Sequence, residues 1–283
     1  FIESFSADFN KSYITWKVNG VSKAEGPGVT RFSFKNGSLG ARTTVGVTVE
    51  TSDSRVIEKA FTFEPASVNL LYEAETYTPP FYKGKALFTS QSTLKVVALP
   101  EFVKIGGGTI APENLIYTWK KDGTVLQSLS GFGKQYALIE TSAITRPMYI
   151  TLDVSAVGSS LKATQTIYVA PKSPEVLFYE DSPLYGTVWN RALGSLFYLG
   201  KNSLRIKAEP YFFSTNQNGA TDMKYTWGMN SNIINIPTTQ NILGLRNETG
   251  DSGSTNVSLI AEHLSKFVQS AEQKILIDYS EVQ

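Results

Sequence analysis

Three short stretches constrain this chain more than any other feature. They are Tyr13-Ile14-Thr15-Trp16-Lys17-Val18-Asn19-Gly20, Ile116-Tyr117-Thr118-Trp119-Lys120-Lys121-Asp122-Gly123 and Lys224-Tyr225-Thr226-Trp227-Gly228-Met229-Asn230-Ser231. In each, a Trp follows a Thr and is followed three residues later by Asn or Asp; the first two copies continue with Gly. Alternating apolar and polar residues that run up to Asn-Gly or Asp-Gly describe a strand entering a tight hairpin, because both central residues of a type I′ turn need positive φ. The three Trp residues lie about one hundred residues apart, which is the spacing of domains rather than of solenoid coils.

Further landmarks keep step with the Trp residues. A third alternating strand opens at Val45, Ile150 and Val257, and a last one at Phe61, Ile167 and Ile275. Ahead of the Trp, Tyr72-Glu73 matches Tyr179-Glu180, and Ala86-Leu87 matches Ala192-Leu193. These offsets divide the chain into units 1–65, 66–171 and 172–283, with Pro65, Pro171 and Pro174 at the junctions. Proline-bearing junctions this short limit freedom between units and imply a semi-rigid rod. In the first unit, Phe1 to Phe9 reads as a strand leading into the Trp16 strand, and Phe32 with Phe34 as another. Phe61 and Phe63 read as half-buried. No counterpart of the Tyr-Glu strand precedes Trp16, so the first unit is expected to lack its first strand. That strand would come from upstream residues or from another chain.

Seven or so short strands per unit, with turns every eight to twelve residues, describe an all-β chain of two-sheet sandwiches. Trp16, Trp119 and Trp227 are then core residues, on the third strand just before a hairpin. In these features the chain resembles bacterial immunoglobulin-like and PKD-like tandem repeats of cell surfaces. It departs from them by lacking the inter-sheet disulfide of antibody domains and the acidic Trp-Asp-x-Gly-Asp-Gly run of PKD repeats. The stretch from Thr76 to Leu87 is also similar to envelope-associated repeat proteins of candidate-phylum bacteria. The resemblance implies an extracellular or cell-surface location, and partners that are other subunits or surface proteins.

Composition narrows function by exclusion. A formal net charge of +1 over 283 residues, with 18% charged, argues against nucleic acid or an anionic membrane recognised through bulk charge. No apolar run reaches the roughly 18 residues a spanning helix needs. The absence of cysteine removes disulfides, cysteine nucleophiles and thiolate metal sites. The single histidine, His263, has no nucleophile pattern around it and reads as a residue of a surface turn. No catalytic role is expected of these residues.

Two groups remain as candidate sites. Glu73 with Glu75, and Glu180 with Asp181, recur at one repeat position beside a junction; calcium is the ion such oxygens would take, and solvated charge at a strand end is the plain alternative. Tyr77, Phe81, Tyr82, Tyr185 and Trp189 lie in the long segment between the first two strands of the second and third units. Exposed, they would stack on glycans or anchor a subunit; the alternative is that they cover a sandwich edge or pack into a junction. The expected role is a structural or adhesive module; a glycan-binding module is the second reading, and an accessory part of a glycoside-active enzyme with its catalytic domain elsewhere is the third.

Overall fold

The computed structural model describes residues 1–4, 7–104, 107–199, 203–215, 221–248 and 250–279. Among the described residues every regular element is a strand or a one-turn 3-10 helix. The first four strands are β1 (Tyr13–Val18), β2 (Val21–Pro27), β3 (Thr43–Glu50) and β4 (Val56–Phe63), in the order β2-β1-β3-β4. The next eight are β5 (Ser67–Ala74), β6 (Thr93–Glu101), β7 (Leu115–Lys121), β8 (Thr124–Val125), β9 (Gly131–Phe132), β10 (Tyr136–Glu140), β11 (Met148–Ala156) and β12 (Lys162–Val169). They form one sheet of order β10-β6-β5 and another of order β12-β11-β7-β8, with β9 also on β7. The last nine are β13 (Glu175–Ser182), β14 (Gly186–Thr187), β15 (Leu196–Tyr198), β16 (Ser203–Tyr211), β17 (Met223–Met229), β18 (Asn232–Ile233), β19 (Ile242–Arg246), β20 (Ser254–His263) and β21 (Ser270–Asp278). Their sheets run β14-β13-β16-β19 and β15-β21-β20-β17-β18.

By its contacts the chain separates into two compact units, 1–71 with 97–136 and 149–167, and 72–96 with 137–148 and 168–283. In the second unit the last two sheets face each other as a sandwich. Val176, Phe178, Leu204, Ile206, Ala208 and Leu243 come from one sheet, and Tyr225, Trp227, Val257, Leu259, Ala261, Ile275 and Ile277 from the other. Each strand contributes alternate residues, because successive side chains of a strand point to opposite faces. A first sheet of order 1-2-5 against a second of order 7-6-3, with a parallel first-strand extension on strand 7, is the arrangement of immunoglobulin-type sandwiches. Here β15 supplies that extension, pairing parallel with β21.

One construction recurs around each Trp. The indole N–H donates to the carbonyl of Val29 at 2.8 Å, of Lys134 at 2.9 Å and of Gln240 at 2.9 Å. All three rings are buried, so each N–H needs such a partner. Opposite each ring on the neighbouring strand stand Val47, Leu152 and Leu259. The turn residue three places on has a defined task as well. Asn19, Asp122 and Asn230 hold φ of 49°, 49° and 46°, and their side-chain oxygens accept from the amides of Thr44, Tyr149 and Asn256 at 2.8, 2.8 and 2.9 Å. Each also donates its own amide back to the same residue's carbonyl. Asn and Asp tolerate the left-handed region and offer this short acceptor. In the third copy Ser231 takes the place of Gly, with φ 70°.

The first copy departs from expectation. Phe1 to Phe9 is no strand: residues 1–4 and 7–8 are irregular and Phe9–Lys11 is a 3-10 turn; Phe5 lies outside the described residues. Phe32 and Phe34 lie on irregular chain, yet they cover the sheet. Phe32 stacks on Trp16 with centroids 5.5 Å apart, as Phe178 of the facing sheet stacks on Trp227 at 5.5 Å. The physical reason is main-chain pairing. In the third copy the corresponding strand β19 pairs with β16. Among the described residues the first copy has no such neighbour, and a strand without a partner leaves its amides unsatisfied. The aromatic alternation therefore delivers packing without a ladder. Nor is β4 half-buried: all eight of its residues are exposed.

The turn contact yields a direct expectation. Asp122→Ala loses both the acceptor for Tyr149 and a side chain suited to positive φ, and urea unfolding should show a loss of about 1–2 kcal/mol. Asp122→Asn, which restores the residue used in the other two copies, should stay within roughly 0.5 kcal/mol of the parent.

Candidate functional site

The aromatic residues singled out above come to lie in the second unit, where a segment following β5 meets β16. Tyr77 donates its amide to the Phe213 carbonyl at 2.7 Å and accepts from the Phe212 amide at 2.8 Å. Thr76 and Ser214 form a bridge, and the Thr76 hydroxyl donates to the Leu87 carbonyl at 2.8 Å. This main-chain pairing aims the Tyr77 hydroxyl at Glu209, to which it donates at 2.5 Å. Glu209 is only 3% exposed and its second oxygen lies 3.2 Å from the Lys207 ammonium. A buried carboxylate without such partners would be costly. Lys207 also sits over the Trp189 ring at 4.8 Å, a cation–π arrangement that shares its charge between ring and carboxylate.

Trp189 packs on Tyr179 with centroids 5.3 Å apart, and the Tyr179 and Tyr211 hydroxyls are 2.5 Å apart. Tyr82 presents its ring edge-on to Tyr211 and Phe212, at 5.9 and 5.8 Å. Three of the five expected aromatics, Tyr77, Tyr82 and Trp189, thus join one packed cluster. Phe81 and Tyr185 do not: they are 79% and 85% exposed.

The acidic residues are arranged differently. Glu73 faces Lys95 at 3.9 Å. Asp181 pairs with Arg205 at 2.8 Å and accepts from the Thr187 hydroxyl at 3.3 Å. Glu180 precedes Asp181 on β13, so their side chains leave opposite faces of the strand. Glu75 donates its amide to the Thr93 carbonyl and its carbonyl accepts from Thr215. Among the described residues no three His, Asp or Glu side chains gather into a cation site.

A second polar knot in the same unit escaped the sequence reading. Gln269, nearly fully buried, donates to the Ser90 carbonyl and the Ser214 hydroxyl, both at 2.7 Å, and accepts from the Ser214 amide at 2.8 Å. Its neighbour Val268 donates its amide to the Gln91 side chain at 3.2 Å. His263, expected in an exposed turn, is buried. Its Nδ1 accepts from the Ser265 amide at 3.2 Å, which leaves the proton on Nε2, and Nε2 donates to the Ser214 carbonyl at 3.2 Å. The run Ala208-Glu209-Pro210-Tyr211-Phe212-Phe213 was the available signal. It abandons period two just where the chain is buried on both sides.

In the first unit a comparable role falls to Glu64. It accepts from the Ser160 hydroxyl at 2.7 Å and from Arg42 at 2.9 Å. Those two bonds hold its carboxyl below the usual carboxylate range.

No protein-family model and no curated protein matches this chain. Among solved structures it is similar to the immunoglobulin domains 1–5 of Sidekick-1, at 13% identity over 95% of this chain and a TM-score of 0.31. It spans about half (52%) of that chain. It is likewise similar to the central fibronectin-III array of RIM-binding protein, at 11% identity over 98% of this chain and 96% of the other, with a TM-score of 0.35. The fibronectin(III)-like modules of Clostridium thermocellum CbhA match at 12% identity over 75% of this chain and 94% of theirs, with a TM-score of 0.24. The class itself is defined by the sheets: an all-β chain of tandem sandwich units. No helix among the described residues is long and apolar enough to cross a membrane.

Two sets of expectations follow from these clusters. Tyr77→Phe strips a donor from buried Glu209 and should cost about 1–3 kcal/mol in urea unfolding at neutral pH. Stability should also fall at both ends of the pH scale. Burial lowers the His263 pKa, so its contribution is complete above about pH 6.5 and is lost as pH falls further; His263→Gln should flatten that limb below about pH 6.5. Burial pushes Tyr225 up to about 12, and burial followed by the Glu209 bond raises Tyr77. Their contributions are complete below about pH 10 and fade above it, which thermal unfolding across a pH series would record.

Proposed function

We propose that the chain is a non-catalytic structural or adhesive module of a cell surface or extracellular appendage, working through protein contact. The observation that carries this reading is the threefold Trp clamp on tandem sandwich units. Among the described residues no sheet combines strands from more than one of the segments 1–65, 66–171 and 172–283, and we take these as three domains. The links between the segments are built for constancy. In the second unit Tyr77 donates to buried Glu209, whose other oxygen has the Lys207 ammonium beside it but accepts no hydrogen bond, and the Gln269–Ser214–Ser90 network joins residues far apart in sequence; buried polar networks of this kind favour a single packing. A bacterial envelope is the setting suggested by the resemblance of the Trp motifs and of the segment from Thr76 to Leu87.

The test uses intact source cells and a membrane-impermeant amine cross-linker, followed by immunoblotting of this chain. A discrete adduct of higher mass is expected. A chain that stays unlabelled until lysis overturns the surface location. A labelled chain without any adduct overturns the contact role.

Glycan binding is a second reading, favoured by the exposure of Phe81 and Tyr185, since exposed aromatic rings can stack on sugars. Trp189 suits it less, because its ring packs on Tyr179 and under Lys207. On a glycan array, binding that is lost in the Phe81→Ala and Tyr185→Ala variants would support it. An array without any signal would remove it.

A further inference from the structure

We propose that Asn36 is a site of spontaneous covalent modification, at which the Gly37 backbone nitrogen closes on the Asn36 carboxamide and converts it, through a cyclic imide, into Asp and isoAsp. The sequence holds three Asn-Gly steps, at Asn19, Asn36 and Asn218; the last lies outside the described residues. A glycine after Asn has no Cβ to shield its nitrogen, so sequence alone treats Asn19 and Asn36 alike. The structure separates them. Asn36 is exposed on irregular chain ahead of β3, and the Gly37 amide donates to the Asn36 side-chain oxygen at 3.1 Å. That contact already folds the carboxamide back toward the nitrogen that attacks it. A Cβ on Gly37 would lie 2.8 Å from the Ala41 Cβ, so this close approach of chain to chain also calls for glycine.

Asn19 is held differently. Its side-chain oxygen accepts from the Thr44 amide at 2.8 Å, and its own amide donates to the Thr44 carbonyl at 2.8 Å. The carboxamide must leave Thr44 before a ring can form there, which slows the reaction about tenfold or more. The chemistry itself needs only water. The Gly37 nitrogen loses its proton to hydroxide and bonds to the Asn36 Cγ; the Cγ–Nδ2 bond breaks, and Nδ2 leaves as ammonia with a proton from water. Water then opens the imide ring. Cleavage of the new N–Cγ bond gives Asp, and cleavage of the original peptide bond gives isoAsp. Each event replaces a neutral side chain by a carboxylate. In isoAsp the main chain also gains an atom, within a stretch held at both ends. Phe34 packs on Phe63 at 4.9 Å and belongs to the cover of the Trp16 core, and Gly40 lies so near Val103 that a Cβ on it would stand 2.7 Å from the Val103 Cγ1. The modification therefore acts on the segment that closes the first core, independently of the contact reading above.

The test incubates the full chain at mildly alkaline pH and follows tryptic peptides by mass spectrometry over time. Cleavage after Lys and Arg releases residues 36–42 and 18–23, each with a single Asn. The 36–42 peptide should gain the mass of an amide-to-acid conversion and become a substrate for isoaspartyl methyltransferase. The 18–23 peptide should convert about tenfold more slowly or less. In urea, where the Thr44 bonds are gone, the two rates should draw together. Asn36→Gln, which would need a larger and slower-forming ring, should abolish the change at that position. Equal rates in the folded chain, or faster conversion at Asn19, overturn the proposal. So does a rate difference that survives unfolding, since that would assign it to sequence and not to the fold.

Discussion

The indole-to-carbonyl bond of Trp16, Trp119 and Trp227 is the contact on which the rest depends. An indole is too large to bury without ordering its surroundings, and its N–H is too polar to bury unpaired. Anchoring it to a carbonyl 13 to 15 residues downstream closes the loop that leaves the Trp hairpin. The Asn or Asp of the turn then ties the same hairpin to the start of the next long strand. Two bonds thus join three pieces of chain, and the apolar ladders of Val, Leu and Ile close over them.

The same device works with very different surroundings. In the third copy Trp227 meets Phe178 from a full second sheet. In the first, Phe32 performs that stacking from chain without a ladder. Burial is non-directional and accepts either solution; hydrogen-bonded strands do not, since each needs a neighbour. The contrast explains how the first copy keeps a core around Trp16 although, among the described residues, no second strand ladder faces its sheet.

Sequence carried the local part of this picture. Alternation located most long strands, and Asn-Gly and Asp-Gly marked the turns, because both signals depend only on residues close along the chain. It misread the stretch from Phe1 to Phe9, and the pair Phe32 and Phe34, because alternation reports a face to be buried and not the partner strand a ladder requires. The polar networks were hidden for a related reason. Nothing near Glu209 announces Tyr77, and nothing near Gln269 announces Ser90; each pair is joined only by the fold. Among the aromatics, composition could not separate Tyr77 and Trp189, which pack, from Phe81 and Tyr185, which face water.

All three indoles are received by backbone carbonyls, those of Val29, Lys134 and Gln240. A carbonyl is supplied by any amino acid, so the clamp places no demand on the side chain at that position. Neighbouring repeats can therefore drift far apart in sequence while keeping the same geometry. Divergent neighbours exchange strands poorly during folding, and mispairing between adjacent like domains is a characteristic failure of tandem arrays. A fastening indifferent to sequence thus lets one chain hold several copies of a fold without their being mistaken for one another.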